Sequence, residues 1–115
     1  MGSASKAMTP IEYGLKADWA FRAAEGGTRG FHYIEGLGKR FIDCVKDGYG
    51  TEFKTGRVSW SAVKNQIAKD AVLLAEGRLK GVTWIFEKNM VSGLHSISPR
   101  VLAALKDAGI TVVIR

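Results

Sequence analysis

Three stretches of the chain carry apolar residues at helical spacing. Thr9-Pro10 and Ser98-Pro99 each suit an N-cap followed by proline at the first helical position. Glycines follow each apolar stripe, where a helix is expected to end. The pattern predicts three helices, the second being the longest: from about Thr9 to Ala24, from Ser59 to just before Gly77, and from Ser98 to Gly109.

Short runs of β-branched and aromatic residues lie between the predicted helices. They predict five strands, at Phe31–Ile34, Arg40–Lys46, Thr51–Thr55, Gly81–Phe86 and Thr111–Ile114. The run from Gly81 carries apolar residues on both alternating faces, so that strand should be covered on both faces. The segment 89–97 is predicted to be a polar loop. The order helix, three strands, helix, strand, helix, strand predicts an α/β fold, a mixed sheet of about five strands flanked by three helices.

Length and composition favour one small domain. The chain has 115 residues, and residues 1–8 resemble a tag or linker remnant, which leaves 9–115 as a single domain. No apolar run approaches the roughly 18 residues that span a bilayer. Seventeen Lys and Arg against 11 Asp and Glu give a net charge of +6. Such an excess favours a polyanionic partner, either a nucleic acid or an acidic protein.

Cysteine and histidine point to no metal site of their own. The single Cys44 excludes an internal disulfide, and neither His32 nor His95 lies at metal-ligand spacing from it. Zinc held in the usual Cys/His manner is therefore not favoured.

Acidic and basic residues cluster on the second and third predicted strands. Glu52 and Lys54 are two residues apart on a strand, so their side chains share one face of the sheet. A two-residue loop at Asp47-Gly48 or at Gly48-Tyr49 would put Asp43 on that same face, whereas a three-residue loop would put it on the opposite face.

Neighbouring carboxylates at Asp43 and Glu52 would repel each other unless a proton or cation lies between them. Mg²⁺ prefers oxygen ligands and often binds through one or two carboxylates, water and substrate phosphate. Lys54 could then position the attacking water or stabilise negative charge on phosphorus, which is the chemistry of phosphodiester hydrolysis. The alternative is that these residues are solvated on the exposed side of a hairpin.

The residues Arg40-Phe41-Ile42-Asp43, Glu52-Phe53-Lys54 and a following helix with Gln66 resemble the PD-(D/E)XK nuclease superfamily. The resemblance covers 9–86, and Ile42 stands where the family name has proline. It implies a restriction-endonuclease-like core and an endonuclease that cuts DNA or RNA, with tRNA among the candidate substrates, using Mg²⁺ or another divalent cation such as Mn²⁺ or Zn²⁺. Asp43 and Glu52 would bind the metal, Lys54 would be catalytic, and Gln66 would orient water or phosphate. An acid of the first helix would complete the site, with Asp18 preferred over Glu12 or Glu25.

Three short stretches, 52–56, 65–70 and 98–114, are also similar to C-terminal toxin domains of bacterial contact-dependent growth inhibition and other polymorphic toxin systems. That resemblance implies delivery as the C-terminal part of a larger secreted protein and action in the target-cell cytoplasm. It also implies a cognate immunity protein, whose acidic residues would complement the basic surface.

Basic residues near the cluster in sequence are candidate substrate-binding residues, although they also suit a role in solubility: Lys39, Arg40, Arg57, Lys64 and Lys69. Two other functions remain open. A nucleic-acid-binding domain without catalysis would bind without divalent metal and without Lys54. A protein-interaction module for an acidic partner would show no salt-dependent binding of nucleic acid.

Overall fold

A computed structural model of the chain describes residues 26–87 and 96–114. The predicted helix at 9–24 and the segment 1–8 lie outside the described residues. The elements are β1 (Thr28–Ile34), β2 (Gly38–Lys46), β3 (Tyr49–Thr55), β4 (Arg57–Val58), α1 (Trp60–Ala75), β5 (Gly81–Glu87), β6 (Ser96–Ile97), α2 (Pro99–Asp107) and β7 (Thr111–Ile114).

The main sheet has five strands in the order β1-β2-β3-β5-β7. β1, β2 and β3 form an antiparallel meander, whereas β5 pairs parallel to β3 and β7 pairs parallel to β5. Parallel neighbours need a crossover, and α1 and α2 supply the two crossovers here. The predicted α/β class and mixed five-stranded sheet are therefore confirmed, with two helices among the described residues.

The helices begin and end close to the predicted residues. The side chain of Ser98 accepts a hydrogen bond from the Arg100 backbone N–H at 3.2 Å, with Pro99 in the first turn of α2. Ser59 holds the N-cap position of α1 but makes no capping hydrogen bond through its side chain. Gly77 and Gly109 follow the two helices with φ of 70° and 80°, a conformation that favours glycine.

A second, two-stranded sheet was not predicted. β4 and β6 pair in parallel through Arg57 with Ser96 and Val58 with Ile97. The predicted polar loop at 89–97 is therefore wrong for its last two residues. A strand of two residues is too short to show the alternation on which strand prediction depends.

The turn between β2 and β3 selects one of the predicted registers. Asp47 and Gly48 both have positive φ, 54° and 86°, as a two-residue hairpin turn of the I′ type requires. Lys46 consequently pairs with Tyr49. This is the register predicted for a loop formed by Asp47 and Gly48.

The core lies between the sheet and the two helices. β5 contributes Trp84 and Phe86, α1 contributes Leu73, and α2 contributes Val101 and Leu105, all essentially inaccessible to solvent. On the other face of β5, Ile85 is also buried, which confirms that this strand is covered on both faces. In the described part of the chain, neither helix has the length and apolar character needed to cross a membrane.

Candidate active site

The regular backbone pairing of β2 with β3 ends next to Asp43, where hydrogen bonds between backbone and side chain follow. Regular pairing runs from Lys46 with Tyr49 to Cys44 with Thr51. On the other side of β2, the register with β1 shifts by one residue between the Thr28–Val45 and Gly30–Ile42 pairs. This is a β-bulge, a feature that bends a strand and re-aims its side chains.

The bulge interrupts the regular alternation of side chains along β2 next to Asp43. A Cβ atom added to Gly50 would lie 3.4 Å from Cγ2 of Ile42, so Ile42 is on the sheet face of Gly50 and Glu52. The prediction that Asp43 shares that face came from simple alternation along β2, which the bulge interrupts. The Asp43 carboxylate reaches across to the backbone of β3.

Two hydrogen bonds join Asp43 and Glu52 to opposite strands. Oδ2 of Asp43 accepts the backbone N–H of Phe53 at 2.8 Å. Oε1 of Glu52 accepts the backbone N–H of Asp43 at 3.3 Å. Each carboxylate thus replaces a ladder contact and is fixed by the partner strand's main chain.

The ammonium group of Lys54 contacts three other side chains. Its Nζ donates to Oε1 of Gln66 on α1 at 2.6 Å and lies 3.3 Å from Oε2 of Glu52. The same ammonium lies 5.1 Å from the ring centroid of Trp84, close enough for a cation–π interaction. The structure therefore brings together Asp43, Glu52, Lys54 and Gln66, the four residues that the sequence predicted as catalytic.

A buried network of hydrogen bonds and ion pairs contacts Glu52 of this cluster. Arg40 forms a bidentate pair with Asp70, with Nε to Oδ1 at 2.7 Å and Nη2 to Oδ2 at 3.0 Å. Trp84 Nε1 donates to the same Oδ2 at 3.0 Å. Nη2 of Arg40 also lies 3.6 Å from Oε1 of Glu52. Arg40 and Asp70 thus connect α1 to the carboxylate of the candidate site.

The pKa values of Glu52 and Arg40 are both raised, for different reasons. Desolvation raises the pKa of Glu52, and the Asp43 charge acts in the same direction, against the opposing effects of Arg40 and Lys54. Burial by itself would lower the pKa of Arg40. The hydrogen bonds with Asp70 and the charges of Glu52, Asp70 and Asp43 outweigh that effect, so the pKa of Arg40 is raised and the guanidinium stays charged.

The donor set suits a hard divalent cation. Among the described residues, no backbone group bonds to Oδ1 of Asp43 or Oε2 of Glu52. A cation approaches each of these atoms: Arg29 at 3.8 Å and Lys54 at 3.3 Å. A buried carboxylate with a raised pKa gains from a cation that favours its ionised form. Within residues 26–87 and 96–114, no third acid, histidine or cysteine joins them. Water and phosphate are usual further ligands of Mg²⁺.

Of the predicted substrate-binding residues, Arg40 is the one that lies in the interior. Its side chain is 3% exposed and paired with Asp70, so it supports Glu52 rather than facing solvent. The other four lie at or near the surface: Lys39, Arg57, Lys64 and Lys69. Nζ of Lys69 donates to the backbone oxygen of Lys39 at 2.8 Å.

Several residues that the sequence singled out lie elsewhere. The first-helix acids Glu12, Asp18 and Glu25, and also His95, lie outside the described residues. His32 is on β1, and desolvation together with the charge of Arg78 lowers its pKa. Cys44 is buried at the bulge.

Sequence analysis missed Asp70, although its position carried a signal. Asp70 follows Val63 by seven residues and Ile67 by three, so it lies on the core-facing stripe of α1. An aspartate at such a position needs a buried partner, and Arg40 is that partner. The role of Trp84 Nε1 had no comparable signal, because an indole in an apolar strand is predicted as core.

No family model, curated protein or solved structure matches this chain. The resemblance to nucleases and toxins therefore rests on the motif residues themselves.

Proposed function

We propose that this protein is a divalent-metal-dependent endonuclease whose active site comprises Asp43, Glu52, Lys54 and Gln66. One observation carries the proposal. The carboxylates of Asp43 and Glu52 each accept a backbone N–H from the other strand, and Glu52 also contacts a lysine that donates to a helix-borne glutamine. The alternative, that these residues are solvated on a surface hairpin, does not fit the burial of Glu52, which is 5% exposed. It also does not fit the three contacts of Lys54.

The carboxylates have the role of binding the cation. Asp43 and Glu52 would hold Mg²⁺ or a similar ion through Oδ1 and Oε2, with their other oxygens anchored to backbone N–H groups. When bound, such an ion lowers the pKa of coordinated water and neutralises charge on a phosphodiester. An acid preceding residue 26 could add a further ligand, and Asp18 is the preferred candidate.

Lys54 has the role of stabilising charge or positioning water. Its ammonium is within 3.3 Å of Glu52 Oε2, so it stands next to the proposed cation position. Gln66 fixes it through Oε1, which leaves the amide nitrogen of Gln66 as a donor for water or phosphate oxygen. Arg40 and Asp70 position Glu52 and are not in contact with substrate in this proposal.

The contacts among Asp43, Glu52, Lys54 and Gln66 support phosphodiester cleavage and do not bear on its biological setting. The toxin setting, the acidic immunity protein and action in a target cell remain expectations of the resemblance. DNA and RNA both contain the phosphodiester that this arrangement suits, so the assay must offer both.

The test is cleavage of plasmid DNA and of total RNA by the purified chain, with Mg²⁺ and with chelator. We expect cutting of at least one substrate that requires the cation. Asp43→Asn should reduce its rate at least about hundredfold, because a cation ligand is lost. Asp47→Asn is the matched control, since it removes the same charge from an exposed turn residue and should cut normally.

Three outcomes would overturn the proposal. Failure of the folded chain to cut either substrate would favour binding without catalysis. Cutting that persists in chelator would exclude the metal-dependent mechanism. Equal rates for Asp43→Asn and Asp47→Asn would remove Asp43 from the active site.

A further inference from the structure

One face of the β1–β2 hairpin exposes aromatic and basic side chains together. Phe31 pairs with Phe41 across the two strands, and Tyr33 pairs with Lys39, so these four share a face. Phe31, Phe41 and Tyr33 are 52%, 53% and 60% exposed. Arg29 precedes Phe31 by two residues and lies on the same face. We call this set the hairpin stripe: Arg29, Phe31, Tyr33, Lys39 and Phe41.

The two phenylalanines form the centre of the stripe. Their ring centroids are 4.9 Å apart and their planes are inclined by 55°. About half of each side chain remains accessible, so core packing does not account for the pair. Aromatic side chains beside cations form the usual binding surface for unpaired bases, because bases stack on rings while phosphates approach the cations.

One end of the hairpin stripe contacts the candidate active site at Asp43. Nη2 of Arg29 lies 3.8 Å from Oδ1 of Asp43, the oxygen proposed to face the cation. Arg29 itself is 55% exposed. Two residues of a strand span about 7 Å, so the Phe31–Phe41 pair lies roughly one such step from Arg29.

We infer that the hairpin stripe binds an unpaired stretch of polynucleotide and guides it to Asp43. Bases stack on Phe31 and Phe41, while Lys39 and Arg29 contact the phosphates. The inference rests on the proposed function and adds a substrate class to it: single-stranded or looped DNA or RNA, rather than uninterrupted duplex. Bases in a duplex are already stacked on one another, so their faces are not available to the two rings. The net charge of +6 fits a polyanionic strand.

The test measures binding in chelator, where cleavage does not interfere. A fluorescent 12-nucleotide probe of mixed sequence, as DNA and as RNA, is offered single-stranded and annealed to its complement. The double variant Phe31→Leu/Phe41→Leu keeps the apolar surface but removes both ring faces. Tyr49→Ala is the matched control, because Tyr49 is 56% exposed but lies at the opposite end of the meander. Circular dichroism verifies that each variant is folded.

We expect the Leu double variant to bind at least one of the single strands about tenfold more weakly, with duplex binding unchanged and Tyr49→Ala within twofold of the native chain. Unchanged single-strand affinity in the Leu variant would overturn the inference and would favour an apolar protein contact at this face. Equal losses for single strand and duplex would overturn it too.

Cleavage by the same proteins separates the two proposals. If the native chain does not cut but the Leu variant loses single-strand affinity, the proposed nuclease function fails and the binding surface remains. If the native chain cuts and the Leu variant binds normally, the nuclease function remains and the hairpin stripe fails.

Discussion

Glu52 is a carboxylate in a position that disfavours its charge. The residue is 5% exposed, and desolvation raises its pKa despite the nearby cations of Arg40 and Lys54. A fold built for stability alone would have little reason to place an acid there. The arrangement is typical of residues whose ionised form is needed for binding or chemistry, and a bound divalent cation would supply that need here.

Glu52→Gln is expected to stabilise the free protein near pH 7.5. The pKa of Glu52 is raised in the folded state above its ordinary value of 4.5, so protonated Glu52 stabilises the fold fully below pH 4.5. That contribution is lost as pH rises through the folded-state pKa. Replacing the acid by a neutral isostere should therefore raise Tm by roughly 4 °C at pH 7.5 and by almost nothing near pH 4. Differential scanning calorimetry across this range provides the measurement.

The control for this prediction is Glu35→Gln, which removes an exposed acid from the β1–β2 turn and should leave Tm nearly unchanged. A lower Tm for Glu52→Gln at pH 7.5 would contradict the prediction, because it would mean that Arg40 and Lys54 make the ionised carboxylate a net source of stability.

Elements that depend on local pattern were predicted more successfully than contacts that depend on a third strand. The Asp47-Gly48 turn fixed the β2–β3 register, because both residues tolerate positive φ. The bulge at Asp43 arises from the pairing of β2 with β1 as well as β3, and nothing within β2 alone announces it. The prediction that the catalytic candidates are neighbours therefore took no account of the bulge.

The α1 helix is joined to the sheet through Asp70. This side chain is fully buried and receives hydrogen bonds from Arg40 of β2 and Trp84 of β5. Asp70→Asn should lower the free energy of unfolding by about 3 kcal/mol, because it leaves the Arg40 guanidinium buried without its charge partner. Urea denaturation gives the value. Asp107→Asn, at the exposed end of α2, should change it by less than about 0.5 kcal/mol.

If both aspartate variants were equally stable, Arg40 would not depend on Asp70, and the proposed support for Glu52 would be wrong. A loss confined to Asp70→Asn would agree with the view that the network between α1 and the sheet carries both stability and the position of Glu52.

For the whole molecule, the positions of glycine and proline at element boundaries made the order of the described elements predictable. Gly77 and Gly109 follow the two described helices, and β5 and β7 each come after a crossover helix. The paired strands β4 and β6 were not predictable, because their pairing is non-local and only two residues long. Net charge indicated a polyanion, yet it could not show that Arg40 belongs to the interior or that Phe31 and Phe41 share an exposed face.

The most direct test of the nuclease proposal is the single-turnover rate of Lys54→Met in Mg²⁺. Lys106→Met is the matched control, since it removes the same charge from an exposed position on α2. We predict at least about a hundredfold loss for Lys54→Met with its fold intact, the size typical for removal of one group that stabilises transition-state charge, and a native rate for Lys106→Met. A Lys54→Met rate within twofold of the native rate would contradict the account.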